Sequence, residues 1–122
     1  MTLRTVVVIE DDPLERLDAE ELLQTAGLHV AAFADGDQAL DYIRHHREDV
    51  AGVFTDVGLA TPTSGLEIAQ LVTAAFPGMA VVVTSGQFAE RPADLNENVR
   101  YIAKPWLPID VLNALVDATQ DE

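Results

Sequence analysis

The sequence predicts an α/β domain, an open and doubly wound sheet of five parallel strands in the order 2-1-3-4-5. Apolar, β-branched runs alternate with helical patterns five times along the 122 residues, which is typical of repeated βα units around a parallel sheet. Hydrophobic residues make up 48% of the chain, which is ample for one core. We therefore expect residues 1–122 to form a single domain.

Five strands are expected, each a short apolar run bounded by turn residues or by a helical pattern. They are predicted near Thr5 to Ile9, His29 to Phe33, Gly52 to Thr55, Ala80 to Thr84 and Val99 to Ala103. A sheet of this kind carries its functional residues just beyond the carboxyl ends of its strands. The residues that follow each strand are therefore the candidates for a site.

The helix after the first strand has the clearest signals. Asp12 is expected to cap it, Pro13 suits its first position, and Glu15 is expected to complete a capping box with Asp12. Gly27 is predicted to end the helix. Its buried stripe is expected to consist of Leu14, Leu17, Leu22 and Leu23.

The next two helices are expected from about Gly36 to Arg47, with Asp35 as the cap, and from Leu66 to Phe76. The inward residues of the first of these are predicted to be Ala39, Leu40 and Ile43. The stretch from Gln87 to Asn98 should form only a short or irregular fourth helix, because Pro92 interrupts a polar sequence there. The last helix should begin near Pro108, with its inward face formed by Ile109, Leu112, Leu115 and Val116.

The charge of the chain excludes several classes of partner. Seven basic against twenty-one acidic residues give a net charge of −14, which opposes binding to nucleic acid or to an anionic membrane. The chain has no cysteine, so disulfides, thiolate chemistry and a zinc knuckle are unavailable. No apolar run has the length of a signal peptide or a membrane span, and a cytoplasmic location is expected.

Reactive side chains stand at the ends of four strands: Glu10, Asp11 and Asp12 after the first, Asp56 after the third, Thr84 after the fourth and Lys104 after the fifth. In the predicted strand order, Asp11 and Asp56 begin about 5 Å apart, one strand spacing. Lys104, the only lysine, begins roughly 10 Å from Asp56, a gap that its long side chain can largely close. We therefore expect these groups to converge.

Each of these residues also has an ordinary structural explanation. Asp12 is explained by helix capping, and Asp56 could simply start a turn. Thr84 could be an ordinary strand residue, and Lys104 could be a surface charge. Glu10 and Asp11 are harder to explain, because one cap needs one carboxylate and crowded carboxylates have raised pKa values or need a cation. Four such coincidences at four strand ends favour a functional site.

An oxygen-only set of carboxylates, without histidine or cysteine, suits Mg²⁺, which binds through one or two carboxylates together with phosphate. An aspartate can itself accept a phosphoryl group as an acyl phosphate. Mg²⁺ and an ammonium group would neutralise the charge on the transferred group. The strand ends therefore predict phosphoryl chemistry, with Thr84 as a hydrogen-bond donor to the same group.

With these residues the chain resembles, over essentially its whole length, a response-regulator receiver domain of the CheY-like superfamily. The residues that carry the resemblance are Glu10, Asp11, Asp56, Gly65, Thr84, Tyr101 and Lys104-Pro105. The resemblance implies a flavodoxin-like fold and a role in two-component, phosphorelay signalling. One departure is Trp106, which replaces the more usual phenylalanine.

The resemblance also implies roles for these residues. Asp56 would take a phosphoryl group from a histidine kinase or a phosphotransfer protein, and Lys104 would contact that group. Thr84 and Tyr101 would form a switch pair that controls the binding of a downstream protein. The metal would be Mg²⁺, with Mn²⁺ as an alternative, and its ligands would be Glu10, Asp11, Asp56 and the backbone carbonyl of Gly58.

Three alternatives remain open. The chain could be a receiver domain excised from a hybrid histidine kinase, or a pseudo-receiver that binds partners without phosphorylation. It also shares a strand-end aspartate, a threonine and a lysine with magnesium-dependent phosphatases of the haloacid-dehalogenase type. Those enzymes need a second aspartate two residues after the nucleophile, where this chain has Gly58, so no turnover of small molecules is expected.

Overall fold

The structure is a computed structural model that describes residues 5–59, 63–86, 95, 98–104 and 106–119. The strands are β1 (Thr5–Ile9), β2 (His29–Phe33), β3 (Val50–Asp56), β4 (Ala80–Ser85) and β5 (Arg100–Ala103). The helices are α1 (Pro13–Thr25), α2 (Gly36–His46), α3 (Gly65–Ala75) and α4 (Pro108–Thr119). All five predicted strands are present, and the largest shift is at β3, which begins at Val50 rather than Gly52.

The strands form one parallel sheet in the order β2-β1-β3-β4-β5, which confirms the predicted doubly wound, flavodoxin-like architecture. The register pairs Ile9 with Thr55, and Asp56 with Thr84. It also pairs Ser85 with Ala103. The carboxyl ends of the central strands therefore lie side by side, as the site prediction requires.

A layer of helices covers each face of the sheet. Successive side chains of a strand point to opposite faces, and both sets are apolar here, so both faces have to be buried. The face covered by α1 and α4, called here the α1/α4 face, includes Val6, Val8, Phe54, Val82, Ala19, Leu23, Val111 and Leu115. The face covered by α2 and α3, the α2/α3 face, includes Val7, Ile9, Val53, Val81, Val83, Ile43, Ile68 and Val72. Burial on both faces explains why the central strands are continuously apolar rather than alternating.

The predicted buried stripe of α1 is wrong for Leu14 and Leu17, which are exposed. The helix instead buries Ala19 and Leu23, which are one turn apart. One turn before Ala19, this inward side is occupied by Glu15 and Arg16, which are half-buried. The contacts that Glu15 and Arg16 make at the strand ends are described below.

The prediction for α4 is wrong for Ile109, which is exposed. The inward face is formed by Val111, Ala114 and Leu115, which follow the three- and four-residue spacing of one helix face. Leu112 is partly buried beside them. The side chain of Val116 lies outside the described residues.

The predicted end of α1 at Gly27 is confirmed, because this glycine has φ +91, a left-handed conformation that favours glycine. Most of the stretch from Gln87 to Asn98, with its predicted short or irregular helix, lies outside the described residues. Within the described ranges, no helix is both long enough and apolar enough to cross a membrane.

Candidate functional site

The candidate site lies at the carboxyl ends of four strands, on the same side of the sheet as the α1/α4 face. Since side chains alternate along a strand, the residue two positions after a member of this face points the same way. The pairs are Val8 and Glu10, Phe54 and Asp56, Val82 and Thr84, and Ile102 and Lys104. The same periodicity that builds the core therefore places an acid, a second acid, a hydroxyl and an ammonium group on one side of the sheet.

Asp56 is the last residue of β3, and its side chain is largely buried. The backbone N–H of Gly58 donates to Asp56 Oδ1 at 3.1 Å. The next residue is tied to the neighbouring strand, because Val57 N–H donates to the carbonyl of Thr84 at 2.9 Å. These bonds hold the carboxylate and the turn that carries the Gly58 carbonyl in one orientation.

Gly65 lets α3 begin directly against the backbone of Asp56. A Cβ atom at this position would overlap the Asp56 carbonyl oxygen and lie 2.6 Å from its carbonyl carbon. Any larger residue would therefore displace either the helix or the end of β3. The glycine implied by the family resemblance thus has a direct steric reason here.

Glu10 is buried at the end of β1. Its Oε2 accepts a hydrogen bond from the backbone N–H of Asp12 at 3.1 Å, and Arg16 Nη1 donates to the Glu10 carbonyl at 2.9 Å. Burial raises the pKa of Glu10 from 4.5 to about 7, and the Asp56 charge adds to the increase, while the bonds from Asp12 and Lys104 oppose it. The site therefore holds a carboxylate that burial makes costly to ionise even with the Lys104 ammonium group in contact with it.

Lys104 lies at the centre of the acidic groups. Its Nζ is 3.0 Å from Glu10 Oε1 and 3.1 Å from Asp56 Oδ2. It is also 3.0 Å from Glu15 Oε1, on α1. Burial favours the neutral amine, but the hydrogen bonds to these three carboxylates outweigh it and raise the pKa of Lys104.

Glu10, Asp11 and Asp56 can each offer one carboxylate oxygen within 4.8 Å of the others. This cluster contains only hard oxygen donors, which suits Mg²⁺ better than a softer metal. The raised pKa of Glu10 fits the same reading, because a bound cation would favour its ionised form. The donor set therefore fits the metal that the sequence predicts.

Thr84 is buried at the end of β4, and its hydroxyl has no hydrogen-bond partner among the described residues. The indole N–H of Trp106 is likewise buried without a partner in that part of the chain. Both residues line one small cavity of about 10 Å³, together with Glu10 and Asp56. A buried hydroxyl without a partner is costly. Among the described residues, the Thr84 hydroxyl is therefore available to donate a hydrogen bond to an acceptor bound beside Asp56.

Tyr101 is not brought into the acidic site. The register pairs it with Val83, whereas Thr84 is paired with Ile102. By the alternation of side chains, Tyr101 therefore lies on the α2/α3 face, where it packs against the core, and Thr84 lies on the opposite face. Within the described residues, the paired backbones of β4 and β5 connect Thr84 to Tyr101.

The N-terminus of α1 differs from the prediction in one way. Asp12 caps α1 as predicted, accepting from the N–H groups of Leu14 and Glu15 at 2.9 and 3.1 Å. The predicted capping box is wrong, because the Glu15 carboxylate contacts Lys104 and the Asp12 N–H bonds Glu10 instead. The sequence reasoning missed Glu15 as a site residue; its spacing of four from the buried Ala19 is the signal that could have found it.

A comparison with protein families matches residues 6–116 to the family described as "Response regulator receiver domain". No curated protein is similar enough in sequence to match the chain. The matched region spans every element from β1 to most of α4. It therefore includes every strand end of the site.

Solved structures show the same fold. A response regulator receiver protein from Sinorhizobium medicae WSM419 has a TM-score of 0.89 at 24% identity, with 98% of this chain and 96% of that chain covered. A chemotaxis protein, CheY4 of Vibrio cholerae, has a TM-score of 0.79 at 20% identity, with 96% and 99% covered. A receiver domain protein from Clostridium thermocellum has a TM-score of 0.81 at 22% identity, with 96% and 94% covered. At these identities the likeness concerns the fold alone.

Proposed function

The chain belongs to the family of response-regulator receiver domains, and from this membership we propose that Asp56 accepts a phosphoryl group from a histidine kinase or a phosphotransfer protein. Receiver domains in general interact with such partners. The observation that carries the proposal is the contact of Lys104 Nζ with Asp56 Oδ2 at 3.1 Å, beside an acidic cluster that includes Asp56 itself. This pairs a nucleophilic carboxylate with the positive charge that transfer needs.

In the transfer, one carboxylate oxygen of Asp56 forms a bond to phosphorus as the bond between phosphorus and the donor nitrogen breaks. The electron pair of the broken bond stays with the imidazole of the donor. Lys104 lies within hydrogen-bond distance of Asp56 and neutralises negative charge on the transferred group. The N–H of Gly58 keeps the carboxylate oriented through its bond to Oδ1.

The family generally binds Mg²⁺ at an acidic pocket, and Glu10, Asp11, Asp56 and the Gly58 carbonyl would hold it in this chain, with Mn²⁺ as an alternative. When bound, the metal supplies positive charge that offsets the carboxylates and the phosphoryl oxygens. The position of Glu10, buried with a carboxylate oxygen within 4.8 Å of those of Asp11 and Asp56, supports this assignment. A cytoplasmic location stays a prediction of the sequence.

The switch would begin at Thr84, whose hydroxyl is free to donate within the described structure. Phosphorylation places strong acceptor oxygens beside it and replaces the one negative charge of the Asp56 carboxylate with roughly two. Thr84 would turn toward these oxygens, and the ends of β4 and β5 would carry the change to Tyr101 and to a downstream protein. This is a shift between two packings of one domain, not a new fold.

We expect no turnover of small phosphomonoesters. A phosphatase with an aspartate nucleophile would need a general acid near Asp56, and Gly58, which follows two residues later, has no side chain to supply a proton. The domain would therefore act as a phosphoryl acceptor and a binding switch. Its own chemistry would be limited to self-phosphorylation and autodephosphorylation.

The test is the intact mass of the protein after incubation with acetyl phosphate and Mg²⁺. The proposal predicts one added phosphoryl group, and none in Asp56→Asn or when EDTA removes the metal. If the wild type gains no phosphoryl group and binds no beryllofluoride, the chain is a pseudo-receiver that acts by binding alone. Addition to Asp56→Asn at the wild-type rate would place the acceptor elsewhere.

A further inference from the structure

Glu15 contacts the candidate site from the first turn of α1, whereas the other carboxylates of the site lie at the ends of strands. Its Oε1 lies 3.0 Å from Lys104 Nζ, as close as the Glu10 oxygen and slightly closer than that of Asp56. An ammonium group has three N–H donors. Within the described residues, three carboxylates therefore account for all the hydrogen bonds that Lys104 can make.

The three carboxylates differ in how firmly they are held. The side chain of Glu10 is 7% exposed and that of Asp56 is 12% exposed, whereas that of Glu15 is 44% exposed. Both buried carboxylates accept a second hydrogen bond from the backbone, through Asp12 and Gly58. Glu15 is therefore the partner that Lys104 can lose at the lowest cost in desolvation.

We propose that Glu15 is a positioning residue that holds Lys104 in the unphosphorylated state and competes with the phosphoryl group for its ammonium. This inference rests on the proposed phosphorylation of Asp56. It assigns to α1 a part in the reaction that the strand ends do not account for. The contact between the first turn of α1 and Lys104 would then break when Asp56 carries a phosphoryl group.

The competition follows from the number of donors and from charge. A phosphoryl group on Asp56 brings strong acceptor oxygens next to Lys104 and replaces the one negative charge of the carboxylate with roughly two. Acylation of Asp56 converts one of the three partner carboxylates into the acyl phosphate, so one donor passes directly to a phosphoryl oxygen. A second phosphoryl oxygen can be bound only if the ammonium releases Glu10 or Glu15. The new charge also repels the Glu15 carboxylate, so release of Glu15 is the favoured exchange.

Removing the Glu15 contact should therefore ease binding at Asp56. The probe is beryllofluoride, which mimics the phosphoryl group, and its affinity can be followed by the fluorescence of Trp106, the only tryptophan. Glu15→Gln should raise the affinity in the presence of Mg²⁺ by about fivefold, the effect of about 1 kcal/mol. The rate of phosphorylation by acetyl phosphate should rise in the same direction.

Two further variants separate the contact from the charge. Glu15→Asp keeps the negative charge but shortens the side chain by one methylene group, so it should lose the contact and gain affinity, though less than Glu15→Gln, which also loses the charge. Glu21→Gln removes the same charge from an exposed position on α1 and should stay within about twofold of the wild type. The free energy of unfolding should differ little among the variants, since the Glu15 backbone N–H still bonds the Asp12 cap.

The outcomes are distinct. A phosphorylated wild type whose affinity is unchanged or lowered in Glu15→Gln would overturn this inference and leave the proposed function intact. If Glu15→Asp matches the wild type while Glu15→Gln gains affinity, charge alone acts and Glu15 does not position Lys104. A wild type that gains no phosphoryl group and binds no beryllofluoride would refute the proposed function and this inference together.

Discussion

Burial of Glu10 should make the stability of the domain fall as the pH rises from about 4.5 to 8, in the absence of a divalent metal. The pKa of Glu10 is raised to about 7 in the folded protein from an ordinary value of 4.5. Between these values the folded state binds more protons than the unfolded state, and stability then decreases with pH. The contribution is fully present below pH 4.5 and is lost as the pH passes through 7.

The magnitude follows from the size of this shift. The difference between 7 and 4.5 is 2.5, and one pKa unit corresponds to 1.36 kcal/mol, so the full effect is about 3 kcal/mol. Glu10→Gln removes the titrating group while keeping a side chain of similar size. Relative to the wild type, this variant should gain about 3 kcal/mol of unfolding free energy between pH 4.5 and pH 8.

The assay is urea unfolding of both proteins at several pH values in EDTA. Taking the difference between wild type and variant at each pH cancels the titration of the carboxylates that do not interact with Glu10, and it also cancels any constant cost of the amide. Glu21→Gln, which alters an exposed carboxylate, should show a flat difference. A flat difference for Glu10→Gln would refute the reasoning, because Glu10 would then ionise as easily in the folded protein as in the unfolded chain.

Three other substitutions test separate contacts. Gly65→Ala should destabilise the domain by about 2 kcal/mol or more in urea unfolding, since its Cβ meets the Asp56 carbonyl; a cost as small as that of Gly78→Ala, which meets nothing within 4 Å, would contradict this. Thr84→Val should change the unfolding free energy by less than about 1 kcal/mol, because the hydroxyl has no partner among the described residues, yet weaken beryllofluoride binding; unchanged binding would count against its role. Asp12→Ala should cost about 1 kcal/mol in thermal unfolding and Asp12→Ser much less; equal losses would mean that capping is not its contribution.

The fold was predictable because short, continuously apolar runs alternate along the chain with segments whose apolar residues have the spacing of a helix. The apolar runs of the central strands are buried on both faces, so they stand out from the helical patterns between them. The strand-end carboxylates, Thr84 and Lys104 could be predicted for the same reason, since the end of a buried strand is visible in the sequence. The convergence of Lys104 on Asp56 also needed the strand order, which the βα alternation supplied.

The rotation of α1 could not be predicted in the same way. Leu14 and Leu17 suggest one helical face, whereas Leu22 and Leu23 suggest another, and hydrophobicity alone does not choose between them. The structure places Ala19 and Leu23 inward and therefore turns Glu15 toward Lys104. That rotation brings Glu15 Oε1 within 3.0 Å of Lys104 Nζ, a long-range contact that no local pattern in the sequence reports.

The most direct test of the central claim is to locate the modified residue after phosphorylation with acetyl phosphate and Mg²⁺. Borohydride reduces an aspartyl phosphate to homoserine, and peptide mass mapping then identifies the position that has changed. The account predicts homoserine at position 56 alone, and none when EDTA is present. Homoserine at position 11 or 12 instead, or an unmodified Asp56 in a protein that carries a phosphoryl group, would contradict it.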